Sequence, residues 1–168
     1  MVQFALGDLV HEAKSTKQML ARVPQDRWDW QPHEKSMTLG QLAAHIARLP
    51  LWGAQMTQAD SFDFMNPGEF AKMPMATTAQ EAVEHFERNV QPILDAVTTM
   101  DDATALRPYR LMRGEQVIYE APKAAAIRHF LSNHLVHHRG QLSVYLRLLD
   151  APVPGMYGQS ADDKASPA

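Results

Sequence analysis

The stretch KAAAIRHFLSNHLVHHRGQLSVYLRLL, residues 123–149, decides the fold. Ile127, Phe130, Leu131, Leu135, Leu142, Leu146 and Leu149 recur at the three-and-four spacing of one buried helix face. At 1.5 Å rise per residue such a helix is roughly 40 Å long, enough to run the full height of a bundle. His134 and His138 stand four residues apart within it. That spacing puts both side chains on one face, with Cβ atoms about 5–6 Å apart.

Working upstream, residues 101–122 carry little pattern apart from a weak alternation at 115–119, which predicts a short extended piece. Thr78, with Glu81 as capping partner, starts a helix whose stripe is Val83, Phe86, Val90, Ile93, Leu94 and Val97, bent at Pro92. Residues 60–76 are rich in Pro, Gly, Met and Phe without a period and read as a long loop. Thr38 and Gln41 form a T-x-x-Q capping box. The helix it opens carries Leu39, Leu42, Ala43, Ile46, Leu49, Trp52 and Met56 and is kinked at Pro50. Trp28 and Trp30 mark residues 24–35 as a loop packed down by its indoles. Residues 2–23 form a first helix through Phe4, Leu6, Leu9, Val10, Met19, Leu20 and Val23, stopped by Pro24. Downstream of Asp150 the chain is Pro- and Gly-rich, then polar.

Four amphipathic helices without a convincing strand predict an all-α, up-down four-helix bundle with long crossover loops. One domain over residues 1–158 and a flexible polar tail over 159–168 are expected; 168 residues suit a single core. A net charge of -3 argues against nucleic-acid binding, which needs a concentrated basic face. The absence of cysteine excludes disulfides, thiolate ligands and a cysteine nucleophile. No apolar run approaches the roughly 18 residues of a membrane span, and Asp8, His11 and Glu12 break any leader-like N-terminus. A cytoplasmic protein is expected.

In a chain with eight histidines, H-x-x-x-H alone is a weak signal. The plain reading of His134 and His138 is two partly exposed side chains on a His-rich turn. His45, mid-helix between Leu42 and Leu49, is by itself a core histidine bonded to a carbonyl. Facing bundle helices lie about 8–10 Å apart, however, so an inward His45 can reach a site built by the pair. Three neutral imidazoles suit Zn, Ni, Fe or Cu and leave coordination positions open, as in catalytic sites. His137 rivals His138, and His85 could face the same site although a surface position suits it better. His11, His33 and His129 show no partner pattern.

HLVHHRGQLSVYLR at residues 134–147 resembles the last-helix H-x-x-x-H-R-G-Q motif of the DinB/YfiT-like metalloenzyme family, and TLGQLAAHIARLPLW at 38–52 resembles its second-helix motif. RWDWQP at 27–32 and PVPGMYGQSADD at 152–163 also resemble segments of a DinB subgroup. The resemblance covers most of the chain and keeps motif order. It implies the family's four-helix fold, one divalent ion (Zn, Ni or Fe) held by His45, His134 and His138, and a homodimer. It favours His138 over His137, because His138 directly precedes Arg139-Gly140-Gln141.

Around that centre, Arg139 is a candidate for binding an anionic group, Gln141 for orienting a ligand, and Trp52 and Tyr145 for lining a pocket. A surface arginine and core aromatics are the competing readings. Gly140 weakens its helix by roughly 1 kcal/mol, for which close approach of another helix is one account and a tolerated glycine the other. Relatives sharing the bundle include metal-dependent thiol transferases and an isomerase that uses a low-molecular-weight thiol. The expectation is a metal-dependent transferase or hydrolase acting on a small molecule, with a thiol as possible co-substrate. A non-catalytic metal-dependent sensor or stress-response protein, and a structural bundle that binds metal incidentally, are the alternatives. No catalytic residue is assigned; Glu12, Asp8 and Glu84 are available as bases but read better as surface carboxylates.

Overall fold

The computed structural model describes residue 2 and residues 6–163; Phe4 and the last five residues of the expected tail lie outside them. In chain order the elements are α1 (Leu9–Leu20), α2 (Leu39–Gln58), β1 (Ser61–Asp63), α3 (Ala79–Thr99), α4 (Asp102–Leu106), β2 (Pro108–Arg113), β3 (Gln116–Pro122), α5 (Lys123–Ile127), a π-helical turn (Arg128–Ser132) and α6 (Asn133–Leu148). Short 3-10 turns at Gln25–Arg27 and Gly68–Lys72 interrupt the loops.

The capping box of α2 is complete. Thr38 Oγ1 accepts from Gln41 N at 3.1 Å, and Gln41 Oε1 accepts from Thr38 N at 2.9 Å. At α3 the device is offset: Thr78 caps Glu81 N, while the Glu81 carboxylate accepts from Thr77 N and Oγ1. Pro50 and Pro92 both sit inside their helices. The Asn89 side chain donates to Ala47 O at 3.0 Å, tying α3 to α2 just before Pro50. α2 packs along α3 and also against α6, and α1 lies against α3 and α6. Leu9, Met19, Leu42, Ile46, Phe86, Ile93, Leu131, Leu135, Leu142 and Leu146 fill the core between them. Val10 departs from the expected stripe and faces solvent.

The fold is not the all-α up-down bundle that the periodicity predicts. It is mixed, because a three-stranded sheet of order β1-β2-β3 is built against the helices. β1 runs parallel to β2 through Phe62↔Leu111, and β2 pairs antiparallel with β3 through Arg110↔Glu120, with an irregularity between Leu111 and Met112. Gly114 takes a φ of 60° at the first position of the two-residue hairpin turn, a conformation that suits glycine. The strands escape pattern reading for a physical reason. β1 has three residues, its partner β2 is distant in sequence, and only Tyr109 and Leu111 of β2 are buried. The weak alternation at 115–119 falls within the hairpin.

The sheet is fastened to α2 and α5 by polar contacts. Asp60, just after α2, pairs with Arg107 and with the buried Lys123, whose Nζ lies 2.8 Å from Asp60 Oδ1. Tyr109 donates from its hydroxyl to Gln55 Oε1 on α2. The sheet thereby holds Phe62 and Tyr119 over the helices, where Phe62 meets Trp52 and Tyr119 meets Phe130.

Two glycines on helices behave oppositely. A Cβ at Gly40 would lie 2.2 Å from the Trp28 indole, whereas one at Gly140 would meet nothing within 4 Å, so no helix approach explains that glycine. Gly40→Ala is therefore expected to destabilise the fold by about 1–3 kcal/mol through overpacking. Gly140→Ala should stabilise it by roughly 1 kcal/mol through helix propensity. Urea unfolding midpoints of the two variants check both signs.

Candidate metal centre

His45 lies on the face of α2 that meets α6, and His134 and His138 are one turn apart on α6. His45 Nε2 is 3.4 Å from His134 Nε2 and 3.1 Å from His138 Nε2, and the ligand atoms of all three lie within 4.8 Å of one another. Two nitrogens bound to one ion at about 2.0–2.1 Å are separated by about 3.3 Å at a tetrahedral angle and about 2.9 Å at a right angle. The two His45 separations are close to this range, so the three histidines could hold a metal ion.

His138 has its outer nitrogen engaged: Nδ1 donates to Gln141 Oε1 at 2.7 Å. Its Nε2 therefore presents a lone pair to His45. A proton on His45 Nε2 can serve only one of the two facing nitrogens at a time, and a cation at the focus would satisfy all three.

Burial sets the charge state. The His45 pKa falls from 6.5 to about 4, first because the ring is desolvated and then because His138, His134 and Arg48 add positive charge nearby. Desolvation is also the leading cause that lowers His134 and His138, opposed in part by the Phe130 and Gln141 hydrogen bonds. All three rings are thus held neutral near pH 7, the form that binds metal.

Beside the centre is a cleft of about 140 Å³ lined by His45, Arg48, Leu49, Trp52 and Phe70. Trp52 packs at 5.4–5.7 Å from the rings of Phe62, Phe64 and Phe70, which form the cleft's aromatic backing. Larger depressions exist, one of about 580 Å³ that includes His85 and one of about 510 Å³ that includes His137 and Tyr157. Neither is lined by the three converging histidines.

The sequence profile of the DinB family matches residues 4–167. The chain belongs to the DinB family. It is 26% identical over 155 residues to YrdA, an uncharacterised protein of Bacillus subtilis strain 168, covering 92% of this chain and 86% of that one. Among solved structures, a DinB-like protein from Bacillus cereus ATCC 10987 superposes with a TM-score of 0.67 at 22% identity, over 91% of this chain and 95% of that one. The DinB-like protein YjoA from Bacillus subtilis also gives 0.67, at 16% identity over 92% and 97%. At these identities the solved structures speak for the DinB fold alone.

The other residues singled out in this DinB chain are distributed as follows. Gln141 touches His138 and Trp52 lines the cleft, as described. Tyr145 donates to Met37 O at 3.2 Å and meets Trp30 edge-on, anchoring the loop before α2. Arg139 points to α1, where it pairs with Glu12 Oε2 at 2.5 Å and donates to Thr16 Oγ1, Glu12 O and the Tyr157 hydroxyl. Glu12 is consequently buried, not a surface carboxylate. Asp8 lies 3.7 Å from Arg128, and Glu84 accepts from Gln80. Outside the group, His137 is exposed, His11 contacts Met156 O, His33 accepts from Lys35 N and His129 stacks on Tyr119. Arg48 and Phe70 escape pattern reading. Arg48, three residues past His45, shares its helix face, whereas Phe70 sits in a stretch without periodicity.

Two outcomes are expected. In the metal-free protein, the unfolded chain takes up protons near pH 6.5 while folded His45 does so only near 4. Between these values the unfolded state binds more protons, so stability falls as pH drops through that window. The urea midpoint should therefore decrease from about pH 7.5 to about pH 5, and less so in His45→Leu. Separately, Arg139→Ala leaves Glu12 buried without its cation and should cost about 3–5 kcal/mol of stability. Calorimetry with and without added zinc checks that its loss is one of stability and not of the histidine cluster.

Proposed function

We propose that this DinB protein binds one divalent ion through His45, His134 and His138 and uses it to act on a small molecule, as a thiol-dependent transferase or a hydrolase. The observation that carries this reading is the meeting of three Nε2 atoms from two helices, with separations of 3.1 and 3.4 Å. Zn, Ni and Fe(II) suit an all-imidazole donor set. Such an ion supplies Lewis acidity, drawing electron density from a bound thiol, water or carbonyl.

The chain's own contribution is preorganisation. Gln141 holds His138 with Nε2 turned inward, so little reorganisation of that ring is needed on binding. The lowered pKa values mean that few protons have to leave at neutral pH. Three protein ligands would leave coordination positions for a bound molecule, and the cleft beside His45 has Trp52 and Phe70 walls that would keep water from one side of it.

Purification without a histidine tag, followed by elemental analysis, tests the metal reading; about one ion per chain is expected. His45→Ala, His134→Ala and His138→Ala should each abolish stoichiometric retention while leaving the circular dichroism of the helices nearly intact. Gln141→Leu should weaken affinity about 10–100-fold, the usual effect of losing an orienting partner. Thiol-transfer and ester-hydrolysis assays on the loaded protein test the catalytic part. A stoichiometric ion without turnover would assign a binding protein instead, and no retained ion would end the reading.

A further inference from the structure

The cleft beside the three histidines contains one cation, Arg48, that no carboxylate among the described residues meets. Arg48 lines it, half-buried, one turn past His45 on α2. Its Nη2 donates to Phe70 O, its Nη1 lies 3.6 Å from the Met75 thioether, and its guanidinium carbon stands 4.8 Å over the Phe70 ring. All three partners are neutral, and a thioether is a weak acceptor. Its Nε is buried and has no acceptor. Other arginines of the chain are differently placed: Arg107, Arg110, Arg139 and Arg147 pair with Asp60, Glu120, Glu12 and Asp162. Among the described residues, no carboxylate meets Arg48.

A guanidinium cannot shed its proton, and a cation withdrawn from water without a counter-charge is costly. The histidine cluster beside it brings no negative charge of its own. The walls of the cleft are apolar and aromatic, Leu49, Trp52 and Phe70, with Phe62 and Phe64 behind. Its volume of about 140 Å³ is close to the roughly 150 Å³ apolar cavity that accepts a benzene ring. The site is therefore complementary to a molecule with one ring, or a short branched chain, and an anionic group.

We propose that the small molecule taken by this cleft is a compact aryl or branched-alkyl carboxylate, with its carboxylate on Arg48, its apolar body against Trp52 and Phe70, and its reacting end toward the three Nε2 atoms. This rests on the reading that the cleft beside the histidines is the substrate site. Arg48 is then a specificity-determining residue and His45 its near neighbour at the reacting end.

Benzoate and its neutral counterpart benzamide are the probes, titrated by ligand-observed NMR into the full chain, metal-free and zinc-loaded. Benzoate is expected to bind the wild type about tenfold or more tighter than benzamide, the scale of one charge-assisted hydrogen bond. Arg48→Met should abolish that preference while benzamide affinity stays within about twofold, since an uncharged probe never used the charge. Arg48→Lys should keep part of the preference, having the charge without the planar fork. Equal affinities for the two probes in the wild type, or a preference that survives Arg48→Met, would overturn the proposal. So would equal loss of both probes in Arg48→Met, which would make Arg48 a clamp for the Phe70 loop. If Arg48→Met does not fold, Arg48→Lys decides: an undiminished loss-free preference identical to wild type overturns the fork contact, and a reduced one supports it. Zinc that fails to bind while the metal-free protein still prefers benzoate would sink the metal reading alone. Zinc that binds without any benzoate preference would sink this proposal alone.

Discussion

The centre depends on how closely α2 can lie against the long C-terminal helical run. Gly53 makes the approach possible: a Cβ there would stand 2.4 Å from Leu131 Cδ2 and 3.1 Å from Ile93 Cγ1. Going forward along α2 from His45 to Gly53, the facing partners go backward from His138 to Leu131, so the two rods are antiparallel at the site. Tight packing at one end sets the distance at the other. Asn89 reinforces the arrangement by bonding to Ala47 O, between His45 and Pro50. Packed side chains in a dense interior have few alternative positions, so the ring nitrogens inherit the precision of the core.

α6 serves two unlike polar environments with consecutive residues. His138 faces α2 and the candidate metal centre, while Arg139 faces α1 and pairs with the buried Glu12. The Tyr157 hydroxyl, which donates to Glu12 at 2.9 Å and receives a hydrogen bond from Arg139, draws the C-terminal segment onto the same pair. Arg147 and Asp162 fasten that segment a second time. The position of α6 is thus fixed from one side by ionic contacts and from the other by apolar ones. A helix held on both sides has little freedom to rotate its histidines out of register.

Much of this was legible from residues alone. Thr38 and Gln41 marked the start of α2, and the spacing of His134 and His138 put them on one face, because helical periodicity and capping are local properties. His45 needed more, since nothing local tells a core histidine from one that meets two others; the family resemblance supplied that link. The sheet was lost because its strands are short, mostly exposed and paired across a long sequence separation. Arg139 read as a surface or anion-binding residue because its partners Glu12 and Tyr157 are remote in sequence. The same holds for Arg48, whose lack of a carboxylate partner among the described residues becomes visible only in space.

The π-helical turn at Arg128–Ser132 directly precedes α6. Such a turn accommodates one residue more than an α-helical turn, and each residue advances an α-helix by about 100°. The phase of α6 relative to α5 is therefore set across a widened turn of backbone, not by continuous α-helical winding. Genetically, this makes the segment a phase-setter: loss of one codon within it would swing His134 and His138 together around the axis by about a quarter turn or more, while all three histidines stayed in the protein. Length in this short stretch is as much a part of the histidine cluster as the histidines themselves.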